Sequence, residues 1–114
     1  MTHVGAIVLV PFPYSDRLAE KRRPALVVAH PSIGEGPELF WLAMITTARR
    51  SAWIGDVPVP EIAEAGLQAP CVVRSAKLVS LESVRIVRTI GAVSSTTLDQ
   101  VRANIRRELE TGAR

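Results

Sequence analysis

Cysteine is scarce in this sequence, with Cys71 the only one among 114 residues. A single cysteine excludes an internal disulfide and every zinc site built from several cysteines, and it is typical of proteins in a reducing cytosol. We interpret Cys71 as a small packed hydrophobic residue rather than a nucleophile. The histidines and carboxylates show no spacing typical of a metal site either. The sequence therefore predicts no metal and no cofactor.

Aromatic residues and long apolar runs are also few. The five aromatic side chains are scattered, which gives little support for a broad surface on which nucleobases stack. The apolar stretch from Val4 to Val10 follows no basic segment, is too short to span a bilayer and runs into Pro11 and Pro13. We therefore expect no signal peptide, no membrane segment and a cytoplasmic location.

Acidic residues are fewer than basic ones, since 11 Asp and Glu stand against 14 Lys and Arg, a formal charge of +3. This balance and an isoelectric point near 9.8 favour a polyanionic partner, although charge alone does not identify one. The hydrophobic fraction of 47% and the mean hydropathy of +0.20 are high for so small a chain. We expect one domain over residues 1–114 that buries its surplus apolar surface in a homodimer.

Short apolar stretches separated by turns predict a small β-barrel. The predicted strands are Ala6–Val10, which ends at the turn Pro11–Tyr14; Ala25–Ala29, covered on both faces; Phe40–Thr47; Asp56–Val59, an edge strand; Cys71–Arg74 and Ala76–Ser80, as one strand or two; and Arg85–Val93, with a bulge or bend at Gly91. A polar excursion from Ser15 to Arg22 joins the first two strands as an antiparallel hairpin. The stretch from Glu61 to Gly66 predicts one helical turn.

The C-terminal segment has the periodicity of a helix. Apolar residues recur at spacings of three and four on one face: Leu98, Val101, Ile105 and Leu109. We expect Ser95 or Thr96 to cap the start of this helix and Gly112 to follow its end. The predicted fold class is therefore mainly β with one α-helix.

Arg23 stands next to Pro24, which restricts the residue before it to extended backbone. We expect a strand to begin here, with the cationic side chain of Arg23 at its start. A guanidinium on a rigid element can hold a phosphate through two parallel hydrogen bonds. The alternative is an ordinary solvated basic loop that leads into a strand.

Two threonines, Thr46 and Thr47, end the third predicted strand and precede the cations Arg49 and Arg50. In most proteins β propensity and an exposed turn explain such a pair. A hydroxyl beside a fixed arginine would also position a phosphodiester. The threonines are therefore candidate site residues.

Five motifs occur in this order: Gly5–Val10, Pro11–Asp16, Lys21–Leu26, Ile45–Thr47 and Val73–Leu78. Together with Ile90-Gly91 and the final helix, they resemble the MazF/PemK family of toxins from bacterial type II toxin–antitoxin systems. The resemblance implies a small SH3-like antiparallel β-barrel with a C-terminal helix, the fold of CcdB/MazF-type toxins, and a homodimer. It also implies sequence-specific, metal-independent cleavage of single-stranded RNA, and a cognate antitoxin whose acidic tail lies across the RNA site.

The resemblance implies roles for named residues. Arg23 and Thr46 match the catalytic arginine and threonine of the family, and Arg74 matches an arginine of its PemK-like branch. RNA contacts are expected from a wider set of polar residues: Lys21, Arg22, Thr47, Arg49, Arg74 and Lys77. The aspartate expected two residues after Arg74 is replaced by Ala76, and Ala6 replaces another aspartate. The first replacement removes a candidate general base.

Cleavage of RNA by its own 2′-hydroxyl requires a proton acceptor. His30 could serve if it faces the site, and His3, Asp16 and Glu20 are weaker candidates. Two other interpretations stay open. One is a CcdB-like toxin that inhibits gyrase, and the other is a non-catalytic SH3-like module that binds RNA or a protein partner.

Overall fold

In the part of the chain that the structure describes, six strands form one antiparallel sheet, and a helix packs on one of its faces. The computed structural model describes residues 2–11 and 21–111. In chain order the elements are β1 (Ala6–Pro11), β2 (Arg22–Ala29), β3 (Leu39–Thr47), β4 (Asp56–Pro58), β5 (Cys71–Glu82), a 3-10 turn (Ser83–Arg85), β6 (Arg88–Ala92) and α1 (Ser95–Thr111). The strands are ordered β4-β5-β3-β2-β1-β6 in the sheet. This architecture confirms the prediction of a mainly β fold with a C-terminal helix.

Apolar side chains cover both faces of the sheet. The face toward α1 includes Leu26 and Ala43, which pack with Val101 of the helix. The opposite face includes Val27 and Leu42. All five side chains are completely buried. Since neighbours in a strand point to opposite faces, a strand buried on both faces has an unbroken apolar sequence, as predicted for β2.

The edge strands β4 and β6 are connected through the turn at residues 61–67. The Ala65 N–H donates to the Glu61 carbonyl at 3.0 Å, which confirms the predicted helical turn. The Ala92 N–H of β6 donates to the Glu64 carbonyl at 3.0 Å. The turn therefore bridges the two edges and makes the fold barrel-like without a ladder between β4 and β6.

Gly91 lies at the predicted bulge. Ile7 pairs with Gly91 while Val8 pairs with Thr89, so Ile90 is the extra residue of β6. A Cβ at Gly91 would lie 2.3 Å from the carbonyl carbon of Ala65. Glycine is required here because the turn at residues 61–67 packs against the β6 backbone.

Several strand boundaries differ from the prediction. β1 continues through Pro11, which is registered with Arg22, because proline lacks only the N–H and its carbonyl can still pair. β2 accordingly begins at Arg22, before Pro24. β5 is a single strand, where the sequence had left one strand or two open, because its two halves are separated by an irregularity and not by a break. β6 begins only at Arg88, after the 3-10 turn.

The helix is capped by Ser94. Its hydroxyl accepts a hydrogen bond from the Thr97 N–H at 3.2 Å, and its carbonyl accepts one from the Leu98 N–H at 3.1 Å. The prediction that Ser95 or Thr96 caps the helix is therefore wrong by one or two residues.

The apolar stripe of α1 is only partly covered. Val101 is buried and Leu98 and Ile105 pack against the core, but Leu109 is 73% exposed. No helix within residues 2–11 and 21–111 is long and apolar enough to cross a membrane. The predicted helix stop at Gly112, the turn through Tyr14 and most of the excursion beginning at Ser15 lie outside the described residues.

Candidate active site

A cavity of about 130 Å³ opens at the end of the sheet where β2 begins and β3 ends. It is lined by four cations, one hydroxyl and two apolar side chains: Arg23, Arg50, Arg74, Lys77, Thr46, Met44 and Ile45. Four of the predicted site residues therefore meet in one place. A concave site with this lining is suited to a phosphate group, because cations and a hydroxyl donate hydrogen bonds to its oxygens.

Strand pairing brings Arg23 and Thr46 together. β2 and β3 are registered with Ala25 opposite Met44, and the same register continued by two residues places Arg23 opposite Thr46. Opposed residues of antiparallel strands project to the same face with Cα atoms about 4.5–5.5 Å apart. The ladder itself starts only at Ala25, one residue after Pro24, which has no N–H to contribute. Pro24 thus marks where the two strands stop pairing and the cavity begins.

An irregularity in β5 supplies Arg74 and Lys77. Ala43 pairs with Leu78, while Ile45 pairs with Val73. The stretch from Arg74 to Lys77 therefore faces the single residue Met44. Extra residues on one strand bend it and redirect its side chains, and here they direct two cations into the cavity.

Arg74 is also the anchor of the loop between β3 and β4. Its side chain is 8% exposed, and its guanidinium donates to the Ser51 carbonyl and lies 4.1 Å from the centre of the Trp53 ring. Arg74 Nε lies 3.5 Å from Asp56 Oδ1, an ion pair between two buried atoms that form no hydrogen bond among the described residues. Arg74 thus holds the loop in place as well as lining the cavity.

The remaining predicted RNA-binding residues do not line this cavity. Lys21, Arg22, Thr47 and Arg49 are exposed, and Thr47 lines a neighbouring groove with Pro24. Arg50 does line the cavity, although the prediction named Arg49 instead. The adjacent arginines in the sequence indicated a cation at this position. Which of the two faces the cavity depends on the turn in which the Arg50 N–H donates to the Thr47 carbonyl.

The histidines lie far from the cavity. His30 follows the last residue of β2, whereas Arg23 is near the first, a separation of roughly 23 Å along a strand. His30 Nε2 pairs with Glu38 Oε2 at 3.1 Å, and its ring stacks on Phe40. His3 precedes β1, whose far end pairs with Arg23. His30 therefore does not meet the condition that it face the site, and Asp16 and Glu20 lie outside the described residues.

The chemistry of the cavity is cationic and not nucleophilic. Its described lining contains no carboxylate, imidazole or thiol. Burial raises the pKa of the Cys71 thiol, which lowers its thiolate fraction and agrees with a packing role. Across the described ranges, no group of three or more His, Cys, Asp and Glu side chains could hold a metal ion. The arrangement can bind a phosphodiester and stabilise additional negative charge on it.

Comparisons with known proteins agree with the fold. The model of the family described as PemK-like, MazF-like toxin of type II toxin–antitoxin system matches residues 3–109. Among solved structures, the Mycobacterium tuberculosis toxin MazF-mt6 has a TM-score of 0.68 at 22% identity, covering 92% of this chain and 96% of that one. A MazE-MazF structure from Deinococcus radiodurans has a TM-score of 0.69 at 23% identity, covering 95% and 94%.

A third similar structure is an endoribonuclease in complex with its cognate antitoxin from a mycobacterial species. Its TM-score is 0.70 at 15% identity, and 96% of each chain is covered. Comparison with curated protein sequences gave no significant match. At these identities the structural matches show the fold, and they confirm the predicted SH3-like toxin architecture.

Proposed function

The chain belongs to the PemK-like, MazF-like toxin family of type II toxin–antitoxin systems, and on that premise we propose that it is a sequence-specific, metal-independent endoribonuclease. Its substrate is single-stranded RNA. The observation that carries the proposal is the convergence of Arg23 and Thr46 with Arg50, Arg74 and Lys77 in one phosphate-sized cavity.

The cavity residues have different roles in the transesterification. The RNA 2′-oxygen attacks phosphorus, the bond to the 5′-oxygen breaks, and the products carry a 2′,3′-cyclic phosphate and a 5′-hydroxyl. Arg23 stabilises the charge that develops on the phosphorane, and Thr46 donates a hydrogen bond that orients the phosphate. Arg50 and Lys77 add positive charge at the same place.

Proton transfer is the step for which the described cavity offers no side chain. Arginine and lysine remain protonated near neutral pH, and a threonine hydroxyl is a poor acceptor. Solvent hydroxide or water therefore takes the proton from the 2′-hydroxyl, and a solvent proton reaches the leaving 5′-oxygen. The described side chains of the cavity contribute charge stabilisation and positioning to the reaction.

The cognate antitoxin is the second partner that fits this cavity. Solved relatives include a MazE-MazF structure and an endoribonuclease with its cognate antitoxin. For this chain, an acidic antitoxin segment would compete with RNA by placing carboxylates where phosphates bind, since the lining provides four cations.

The chain forms a homodimer through an apolar groove between α1 and β5. β4 pairs with β5 only from Val72 to Arg74, so within the described residues the rest of β5 has a partner strand on the β3 side alone. A groove of about 570 Å³ beside this edge adjoins a smaller one, and their apolar lining includes Ile54, Trp41, Leu78, Ile105 and Leu109. A second copy related by two-fold symmetry would cover this surface.

Incubation of the purified protein with a long RNA in EDTA tests the proposed function. We expect discrete fragments that carry 2′,3′-cyclic phosphates. Each phosphate contact should steepen the salt dependence of binding by about 0.7 log units per log unit of salt. Cleavage that appears only after Mg²⁺ is added would contradict the mechanism.

Binding without any fragments would instead support the non-catalytic RNA-binding module. The specific observation in favour of that alternative is the absence of a carboxylate or imidazole from the described lining of the cavity.

A further inference from the structure

The aromatic ring of Trp53 contacts Arg74, a residue that lines the phosphate cavity. The Arg74 guanidinium, which lines the cavity, lies 4.1 Å from the centre of the indole ring. Trp53 nevertheless remains 45% exposed. One part of the ring is therefore covered by a cation of the site while a large part stays open to solvent.

The loop that carries Trp53 is held in place through its backbone. The backbone N–H of Trp53 donates to Asp56 Oδ2 at 2.9 Å, and the backbone N–H of Asp56 donates to the Trp53 carbonyl at 3.1 Å. The Gly55 carbonyl accepts from the Ser75 hydroxyl at 2.7 Å and from Asn104 Nδ2 at 3.2 Å. The loop is thus tied to β4, β5 and α1, and a ligand that stacks on Trp53 loses little affinity to ordering it.

We propose that Trp53 is a nucleobase subsite, on which a base next to the scissile phosphate stacks. This inference rests on the proposed function, because it assumes that an RNA phosphate occupies the cavity. Single-stranded nucleic acids bind where a cationic groove follows the backbone and an aromatic side chain meets a base. Arg74 connects the two parts of such a site, since it lines the cavity and contacts the indole ring.

The subsite gives Trp53 a role in sequence selection. Stacking strength differs between bases, and a rigid ring beside one phosphate acts at one nucleotide position only. Trp53 therefore biases which base is accepted next to the cut. A tryptophan that only covered Arg74 would affect all substrates equally.

An abasic scan tests the subsite. The preferred cut site is first mapped by sequencing the fragments of a long RNA. Binding of fully 2′-O-methylated, uncleavable oligonucleotides of that sequence is then measured by fluorescence anisotropy, with one abasic nucleotide at each position in turn. Wild type, Trp53→Phe and Trp53→Leu are compared. Ile33→Ala is the control, because Ile33 is similarly exposed at 46% but lies beyond the other end of β2.

We expect one abasic position beside the cut to weaken binding to the wild type by about 5- to 140-fold. In Trp53→Leu the intact oligonucleotide should bind more weakly by a similar factor, and the same abasic position should have no further effect. Trp53→Phe, which keeps a ring over Arg74, should be intermediate, and Ile33→Ala should behave as wild type.

Two results would overturn the subsite in distinguishable ways. If the wild type cuts RNA but the abasic effect persists in Trp53→Leu, the ring is a cover for Arg74 and the proposed function stands. If the wild type cuts no RNA, the proposed function fails and the subsite fails with it.

Discussion

Arg23 is the residue whose loss should affect catalysis far more than folding. It is half-buried at the start of β2, so Arg23→Ala should lower the free energy of unfolding by about 1 kcal/mol or less. Its removal should lower kcat by about 10²- to 10³-fold, because one preorganised donor to the phosphorane is lost. Single-turnover cleavage and thermal denaturation measure the two effects.

The matched control for Arg23 is Arg49→Ala, which removes the same charge from an exposed position outside the cavity. It should weaken RNA binding without lowering kcat. Arg23→Lys should restore only part of the rate, because an ammonium lacks the planar fork of a guanidinium. Equal losses of kcat in Arg49→Ala and Arg23→Ala would show that overall charge, and not the cavity, governs cleavage.

Thr46 can be tested with almost no change of shape. Thr46→Val keeps the β-branched side chain that suits a strand and removes only the hydroxyl. We expect kcat to fall by about tenfold or more while the melting temperature changes little. Thr47→Val is the neighbouring control, since Thr47 faces a different groove. A normal rate in Thr46→Val would remove the hydroxyl from the mechanism.

The rate of cleavage should depend on pH without the titration of a histidine. Because solvent hydroxide accepts the proton, the single-turnover rate should rise about tenfold per pH unit from about pH 6 to about pH 8.5. A rate–pH profile measures this. A plateau with a midpoint near the usual histidine pKa of about 6.5 would implicate an imidazole. A level rate above about pH 5 would implicate a carboxylate from outside the described residues.

At the scale of elements, the contact between the 61–67 turn and β6 depends on the absence of a side chain at Gly91. A Cβ at Gly91 would lie 2.3 Å from Ala65 carbonyl carbon and 2.4 Å from Glu64 carbonyl oxygen, both backbone atoms that cannot move aside cheaply. Gly91→Ala should therefore lower the free energy of unfolding by about 2 kcal/mol or more. Urea denaturation measures it.

Gly34→Ala provides a comparison for Gly91→Ala, because no atom lies within 4 Å of the added Cβ at that position. Gly34 has a positive φ of 78°, so backbone strain alone would account for any loss of folding stability in Gly34→Ala. If Gly91→Ala is no more destabilising than Gly34→Ala, the turn does not pack against β6 in solution.

The irregularity of β5 explains why the cavity was only partly predictable. Residue type and position made Arg23 and Thr46 candidates, and the resemblance to the MazF/PemK family singled them out. The inward direction of Arg74 and Lys77 depends on how many residues of β5 face Met44. That number is set by pairing between distant segments, which no local pattern reports.

Other differences between sequence and structure are also physical in origin. Ser94, Ser95 and Thr96 are all good cap residues, and only the hydrogen-bonding pattern of the first turn distinguishes them. Whether Arg49 or Arg50 lines the cavity depends on the turn that follows β3. By contrast, the unbroken apolar run of β2 and the helical stripe of α1 are local signals. They predicted the two elements correctly, although not the exposure of Leu109.

For the whole molecule, the exposed end of the α1 stripe should decide the oligomeric state. Leu109→Glu places a charge in the apolar groove and should convert a dimer into a monomer. Because Leu109 is exposed in the single chain, this substitution should lower the folding stability of the protomer only slightly. Light scattering should give twice the chain mass of 12.4 kDa for wild type and the chain mass for the variant. Val84→Glu, which is 84% exposed elsewhere, is the control. A wild type that is monomeric at micromolar concentration would exclude this dimer.

The anchoring of the loop between β3 and β4 has a consequence for how such a protein can diverge. Its hold on the rest of the fold uses the backbone of Ser51 and Trp53 and the side chains of Asp56 and Arg74. The side chain of Ala52 is exposed and takes no part in those contacts. Substitutions at this position are therefore nearly free of structural penalty. Over generations, a lineage can vary the surface beside an unchanged reactive centre and so move to new targets without passing through an unfolded or inactive ancestor.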